Sequence, residues 1–417
     1  MTDISASDPR AHAVFGVRDF RLFICGRFLS TASMQMQSVA VGWQVYDLTQ
    51  DPIALGYVGL FMFLSVAAFT LPGGDVADRF DRRLVLTLAY VAQGLCAVLL
   101  VFVSRAGVTA MWPFYTIVAL FGVGRAFANP ASQSFVPFLV PREQVSRAVA
   151  WSSSANQVAF IVGPALGGAV YAFGPAAVYA ICLAAFVGGA IANSFIRTRV
   201  KIPPAEDVNA FGRLIAGINF VRRKPIVLGV ISLDLFAVLL GGALSLLPVY
   251  ARDILHVGPE GLGLLRSAAA AGAMVTAVAV ANLSLNRKTG LLMFGAVALY
   301  AVCTIAFGVS VNFGVSLATL ALLGAADQIS VITRNTVVQL ATPADMRGRV
   351  SALHMLFVGT SNELGQFRAG TFAGWLGTVP AVVLGGVGTL AVVALWSWLF
   401  PDLRKLDRVA DLDQERA

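Results

Sequence analysis

Two apolar runs, Ala54–Leu71 and Leu84–Val103, stand on either side of a charge-dense stretch, Pro72–Arg83 (PGGDVADRFDRR). Each run has the length and the freedom from charge of a helix that crosses a bilayer. Between them Asp75, Asp78 and Asp81 interleave with Arg79, Arg82 and Arg83. A segment of that kind has to lie at an aqueous face, and its arginines mark the face as cytoplasmic. The pattern continues along the chain, which is 58% hydrophobic and 12% charged, about half the charged fraction of a soluble domain. Most of the mass therefore belongs in lipid.

Apolar windows predict about twelve spans, near 20–46, 54–74, 82–104, 109–134, 145–172, 174–196, 225–250, 259–283, 288–309, 312–340, 348–373 and 378–400. The N-terminal tail, alternate loops and the C-terminal tail hold 23 Lys and Arg residues, against two, Arg105 and Arg252, in the opposite loops. That asymmetry predicts both termini in the cytoplasm and an even number of spans. Met1–Arg21 is polar and basic, so the first span is expected to act as its own targeting signal. The net charge of +8 is spread over short loops and forms no nucleic-acid patch. Cys25, Cys96, Cys182 and Cys303 each fall inside an apolar run, without metal-ligand spacing, and read as core residues.

The longest loop, Arg197–Lys224, divides the chain into a six-span half over 1–196, a linker over 197–224, a second half over 225–400 and a tail over 401–417. The Pro203-Pro204 stretch is linker-like. Leu214, Ile215, Ile218 and Val221 recur at helical spacing and suggest an amphipathic helix on the cytoplasmic leaflet. The halves are repeats. A shift of about 202 residues aligns Gly122 with Gly324, Pro141 with Pro343, Glu143 with Asp345, Arg147 with Arg349 and Gly163 with Gly365.

The spacing Gly74-x-x-x-Asp78-Arg79-x-x-Arg82-Arg83 resembles the loop 2–3 motif of major facilitator superfamily transporters, with Asp81 where the family usually has its second glycine. In span 5, Gly163-Pro164-Ala-Leu-Gly167-Gly168 is similar to the motif of proton-coupled antiporters in that superfamily. Glycines at 163 and 167 share a face and permit a close helix crossing, and Pro164 permits a kink. Phe121–Pro130, Leu247–Ala251 and Gly261–Arg266 resemble the branch that holds enterobactin-type siderophore exporters and macrolide efflux pumps. Val118 stands where many antiporters carry an arginine. The resemblance covers nearly all of the chain. It implies an all-α fold of twelve membrane helices in two parallel-repeat halves, with the binding site between them near the midplane.

Ionisable groups inside spans are costly and need a reason. Arg27 in span 1, Arg125 in span 4, Asp234 in span 7, Asp327 in span 10, and Glu363 and Arg368 in span 11 are such groups. Spans 1, 4, 7 and 10 line the cavity in the resembled superfamily. Each of these charges is either a satisfied structural ion pair or a part of proton coupling; Arg125–Asp327 and Arg27–Asp234 are the pairs that symmetry and depth suggest. Asp78 is expected to hold the start of span 11, near Arg347 and Arg349, at a cytoplasmic gate. Gln35, Gln37, Trp43 and Asn156 are candidate cavity residues, because amides in a bilayer helix must face protein or water. His12, His256 and His354 lie near span ends or tails and make poor buried relays. No nucleotide-binding loop and no convergent catalytic set appears, so neither ATP-driven transport nor an enzyme is indicated.

The resulting expectation is a monomeric exporter in the bacterial inner membrane, without cofactors, that uses the proton gradient to expel a small amphiphilic molecule. Siderophores, macrolides and other drug-like compounds all fit. An importer or facilitator of a small metabolite, and a transporter-like sensor, are the alternatives.

Overall fold

The computed structural model describes residues 14–199, 210–282, 288–343 and 346–407. The N-terminal tail, Pro203-Pro204, Arg287 and Asp345 lie outside these residues. Among the described residues, twelve helices make the bundle. The first half comprises α1 (Arg18–Thr49), α2 (Pro52–Arg79), α3 (Arg82–Arg105), α4 (Trp112–Phe135), α5 (Val145–Tyr171) and α6 (Pro175–Ser194). A linker helix, α7 (Ala210–Arg223), precedes the second half. There α8 (Pro225–Gly241), α9 (Pro259–Asn282), α10 (Thr289–Gly308), α11 (Phe313–Ala341), α12 (Arg347–Leu376) and α13 (Thr378–Leu399) follow, with a short α14 (Pro401–Lys405) at the end.

Local chemistry sets the boundaries. Asp51 caps α2, accepting from the Ile53 amide at 2.8 Å, with Pro52 at the first helical position, where its missing N–H costs nothing. Asp81 caps α3 in the same way at 3.0 Å. The charged stretch Pro72–Arg83 is thus mostly helix. α2 runs through Pro72 to Arg79, and only Phe80 and Asp81 connect it to α3, because each of the two helices brings its own terminal signal.

Five contacts build the first half: α1 on α5 and α6, α2 on α4, and α3 on α4 and α6. Each has its counterpart in the second: α8 on α12 and α13, α9 on α11, and α10 on α11 and α13. The repeat extends to single residues. A Cβ on Gly163 would lie 2.8 Å from the Ala32 carbonyl oxygen of α1, and one on Gly365 would lie 3.0 Å from the Val238 carbonyl oxygen of α8. Gly122 on α4 packs on Ser65 of α2, and Gly324 on α11 packs on Ala269 of α9.

The seventh span is broken. α8 stops at Gly242, whose φ of +49° suits a residue without a Cβ. A 3-10 turn (Ala243–Leu246) and a π-helical turn (Tyr250–Ile254) complete the crossing. Arg368 of α12 donates to the Leu240 carbonyl at the break and lies over the Phe372 ring, so it neutralises the negative end of α8. The linker helix α7 docks on the bundle, with Val221 buried in the core of the second half and Gly217 against the Arg349 backbone. Ile218 packs partly buried against the same core, whereas Ile215 stays exposed. Cys25 is exposed, whereas the other three cysteines are buried.

Among the described residues, eight helical segments are apolar enough to cross a membrane by length and composition. The bundle helices outside that set are α1, α4, α5 and α12. These four carry Arg27, Arg125, Asn156 and Glu363.

Candidate functional site

The two halves meet along two seams, α2 on α12 and α5 on α9. Both are tight at the face away from the termini, here the distal face. On one seam, Gly370 meets Gly56 and Gly59 meets Glu363 and Gln366. On the other, Gly168 meets Pro259 and Glu260, Ser267 donates to the Ile161 carbonyl at 2.6 Å, and Gln157 donates to the Ala270 carbonyl at 3.2 Å. Continued at helical spacing toward the terminal face, the same stripes carry Ser153 and Ser154 on α5 and Met355 on α12, all exposed. The bundle is therefore closed distally and open toward the terminal face.

Two more bonds lie across the distal mouth. Tyr46, at the end of α1, donates to Asp253. Next to it Arg252 donates to Asp47 at 2.5 Å. The π-helical turn presents Arg252 and Asp253 in succession to Tyr46 and Asp47, so two adjacent residues on each side form a double latch.

Between the halves lie two adjoining chambers of about 400 and 430 Å³. Met34, Met62, Val118 and Phe121 wall the first. Ala269, Tyr300, Leu323 and Asp327 wall the second. Gln35 lines both, and Gln37 lines the first. Trp43 and Asn156 line neither. Trp43 packs edge-on against Tyr171 at 6.5 Å, and Asn156 accepts from Thr31 at 3.0 Å; both serve contacts within the first half. Gln157, one residue on, turns to the second chamber in place of Asn156.

The charges are paired differently from the symmetric expectation. Arg125 donates to Glu363 at 2.8 Å, and the other oxygen of Glu363 accepts from Gln366 at 2.9 Å. The partner is Glu363 because α12 packs on α2, beside α4, whereas α4 and α11 face each other across the cavity. Asp234 forms a buried ion pair with Arg334 of α11, inside its own half. Arg27 donates to Ser152 of α5 at 2.8 Å, also inside its own half. Asp327 lines the second chamber and has no ion-pair partner among the described residues. Of these predicted charges, Arg125 and Glu363 pair across the halves at the cavity, Asp327 stands without an ion pair there, and Arg27 and Asp234 are engaged inside their own halves. Charges at the centre of a membrane helix cost about 2.5–3.5 kcal/mol each, which the internal pairs offset.

The span 5 motif divides its glycines between two partners. Gly163 and Gly167 lie against α1: a Cβ at Gly167 would come 2.8 Å from Met36 Cα. Gly168 faces the other half. A Cβ there would meet the Pro259 carbonyl oxygen and come within 3.1 Å of Glu260 Cα and Gly263 Cα. Gly263 in turn lies on the Pro164 carbonyl, at 2.5 Å from an added Cβ. Pro164 leaves α5 continuous from Val145 to Tyr171.

At the terminal face, Arg79 pairs with Asp75 at 3.0 Å. Arg82 stacks on Phe138, and Arg83 donates to the Ile196 carbonyl at 2.8 Å. An added Cβ at Gly74 meets open space, unlike one at Gly73, which lies on Ala126. Asp78 has a partner of its own. Arg347 donates to the Thr342 carbonyl and Arg349 to Met346 Sδ, both within the second half.

Two interior arginines, one buried and one lining the cavity, escape a reading from sequence as charges within spans. Arg334 sits in α11 and is 4% exposed; Arg266 of α9 lines both chambers. Each is a lone charge in an apolar run, and that run was the available signal. His354 lies two turns into α12, buried, with Nε2 unpartnered, deeper than a span-end position suggests. No His, Cys, Asp and Glu cluster suited to a metal occurs among the described residues.

Residues 7–415 match the family model described as "Transmembrane secretion effector". The chain is 26% identical over 410 residues to the enterobactin exporter EntS of Salmonella typhi, covering 93% of each chain. It is 25% identical over 403 residues to that of Citrobacter koseri, covering 93% of this chain and 92% of the other. In fold it is similar to a bacterial homolog of the human lysosomal transporter Spinster in an inward-facing, unoccupied conformation, with a TM-score of 0.70 at 13% identity over 96% and 97% of the two chains. It is also similar to a bacterial homologue of the iron transporter ferroportin in an inward-facing state, with a TM-score of 0.69 at 18% identity over 94% and 100%.

Proposed function

This chain belongs to the transmembrane secretion effector family of the major facilitator superfamily, and from that premise we propose that it exports a small amphiphilic molecule across the bacterial inner membrane in exchange for protons. Both termini are cytoplasmic in this reading, so the open terminal face admits substrate from the cytoplasm. The distal face is then the external gate, closed by the seam glycines and the double latch. One chain forms the whole path, and the proton gradient replaces any cofactor.

The observation that carries the reading is the charge arrangement between the halves. Arg125–Glu363 is the ion pair that bridges them at the cavity, and Asp327 waits unpaired in the adjoining chamber. Protonation of Glu363 removes its charge and weakens its hold on Arg125, releasing one tie between α4 and α12. Asp327, with no ion-pair partner among the described residues, can take up a proton without breaking an ion pair. Rocking of the halves about the seams then exposes the same acids alternately to the two faces.

The test is efflux from cells loaded with a panel of siderophores, macrolides and dyes, with the gene present or deleted. Gene-dependent efflux that an uncoupler abolishes supports exchange with protons. Efflux that persists with uncoupler, only down the compound's own gradient, leaves a facilitator.

A further inference from the structure

Arg266 stands apart from the other arginines in the interior of the bundle. Arg125 and Arg334 have carboxylates, and Arg368 has the carbonyl end of α8 and an aromatic ring. Arg27 is bound to a hydroxyl but lines neither chamber. Arg266 reaches from α9 across the gap between halves and donates one N–H to Ser38 of α1 at 2.6 Å. It has no ion-pair partner among the described residues. A guanidinium has five N–H donors in a fixed planar fork. With one of them on Ser38, the fork keeps donors available to the cavity.

Its place in the cavity is as informative as its charge. Arg266 is among the few residues common to both chambers, with Gln35 and Ser38 from the first half and Ser245, Asn362 and Gln366 from the second. These companions are neutral hydrogen-bonding groups. The acids stand off to either side, Glu363 engaged with Arg125 and Asp327 deeper in the second chamber. The junction is thus a cationic fork ringed by hydroxyls and amides, with Phe160, Phe121 and Met34 as apolar walls. Such a site matches a planar anion on an apolar body.

We propose that Arg266 recognises the charge of the substrate, which is an amphiphile bearing a carboxylate or an ionised phenol. This rests on the exporter reading above for the word substrate, and it adds the sign and geometry of the recognised group. The anion takes the free edge of the guanidinium, and Ser38 holds the opposite edge in place. Because Ser38 belongs to one half and Arg266 to the other, the bound anion sits where the two halves are already joined.

The experiment measures equilibrium binding to purified protein in lipid nanodiscs, without any gradient, for three probes of one body: dansyl-glycine (anionic), dansyl-glycinamide (neutral) and dansyl-cadaverine (cationic). The expected result is at least tenfold tighter binding of dansyl-glycine than of dansyl-glycinamide, with dansyl-cadaverine weakest. Arg266→Gln should remove that tenfold preference and leave the neutral probe within about twofold. Arg266→Lys should keep the preference for charge in reduced form, since it restores the cation without the fork. Equal binding of the three probes, preference for the cation, absence of binding by all three, or an equal loss of all three in Arg266→Gln would each overturn the proposal. An anion preference alongside proton-independent transport would leave this inference standing and refute only the exchange reading. Proton-driven export with no anion preference would do the reverse.

Discussion

Replacing Glu363 by Gln removes the carboxylate that ties α12 to α4 while keeping size and hydrogen-bonding capacity. In the distally closed structure that carboxylate accepts from Arg125 at 2.8 Å and from Gln366 at 2.9 Å. A hydrogen bond to a charged partner contributes about 1.5–3 kcal/mol. Arg125 is 32% exposed and Glu363 7%, so water screens the pair on one side and the low end applies, about 1.5 kcal/mol. That is close to tenfold in an equilibrium constant. Glu363→Gln should therefore shift the population about tenfold away from the terminally open state. The assay is double electron–electron resonance between spin labels at position 154 on α5 and position 355 on α12, exposed positions at the open terminal end. Wild type should give a dominant long distance, and the variant a distribution moved toward the short one. Arg125→Glu with Glu363→Arg should recover part of the wild-type distribution. If Glu363→Gln leaves the distribution unchanged, the pair does not hold this state and the gating role argued for it is wrong.

The span 5 glycines should separate by partner. Gly163→Val and Gly167→Val press α5 from α1 inside one half and should lower thermal stability by about 1–3 kcal/mol, whereas Gly168→Val presses against Pro259 and Gly263 and should open the distal seam, read as faster modification of a cysteine near Ser38 by an external reagent. Arg252→Ala removes half of the distal latch; as a pair of partly exposed groups it contributes at most about 1 kcal/mol, so the same reagent should react up to fivefold faster. Asp19 precedes the apolar part of α1; burial pushes its carboxyl up, but hydrogen bonds from the Thr198 hydroxyl and the Thr198 and Arg197 amides outweigh that and hold it below the ordinary carboxylate range. A depressed carboxyl stabilises the fold above its unfolded value near pH 4 and loses that contribution as pH falls through the folded value. Asp19→Asn should lower the melting temperature at pH 7 and bring it closer to wild type in acid, and an unchanged difference across pH would contradict that assignment.

How far a sequence discloses such a molecule depends on the interaction involved. Span positions follow from apolar length, and the repeat of Gly163 and Gly365 follows from one packing rule used twice. Both need only local information. The partner of Arg125 does not. Symmetry between the halves points to Asp327, but the cavity separates α4 from α11, and it is α12, leaning on α2, that delivers Glu363. The break in the seventh span was hidden because Gly241-Gly242 sits in a run that stays apolar to Tyr250. Its companion signal, Arg368, lies in another span and completes the break only in three dimensions. Gln35 and Trp43 looked equivalent as cavity groups. Eight residues at 100° each turn Trp43 80° round α1 from Gln35, so it meets Tyr171 instead of the chamber.

The most direct test of proton exchange uses purified protein in liposomes that enclose a pH-sensitive dye and a compound found to be exported. Protein-free liposomes serve as the control, and the starting pH is equal on both sides. Release of the compound down its gradient should acidify the lumen as protons move the other way, and Asp327→Asn should allow release without acidification. Release by wild type with the lumen pH unchanged would contradict the account.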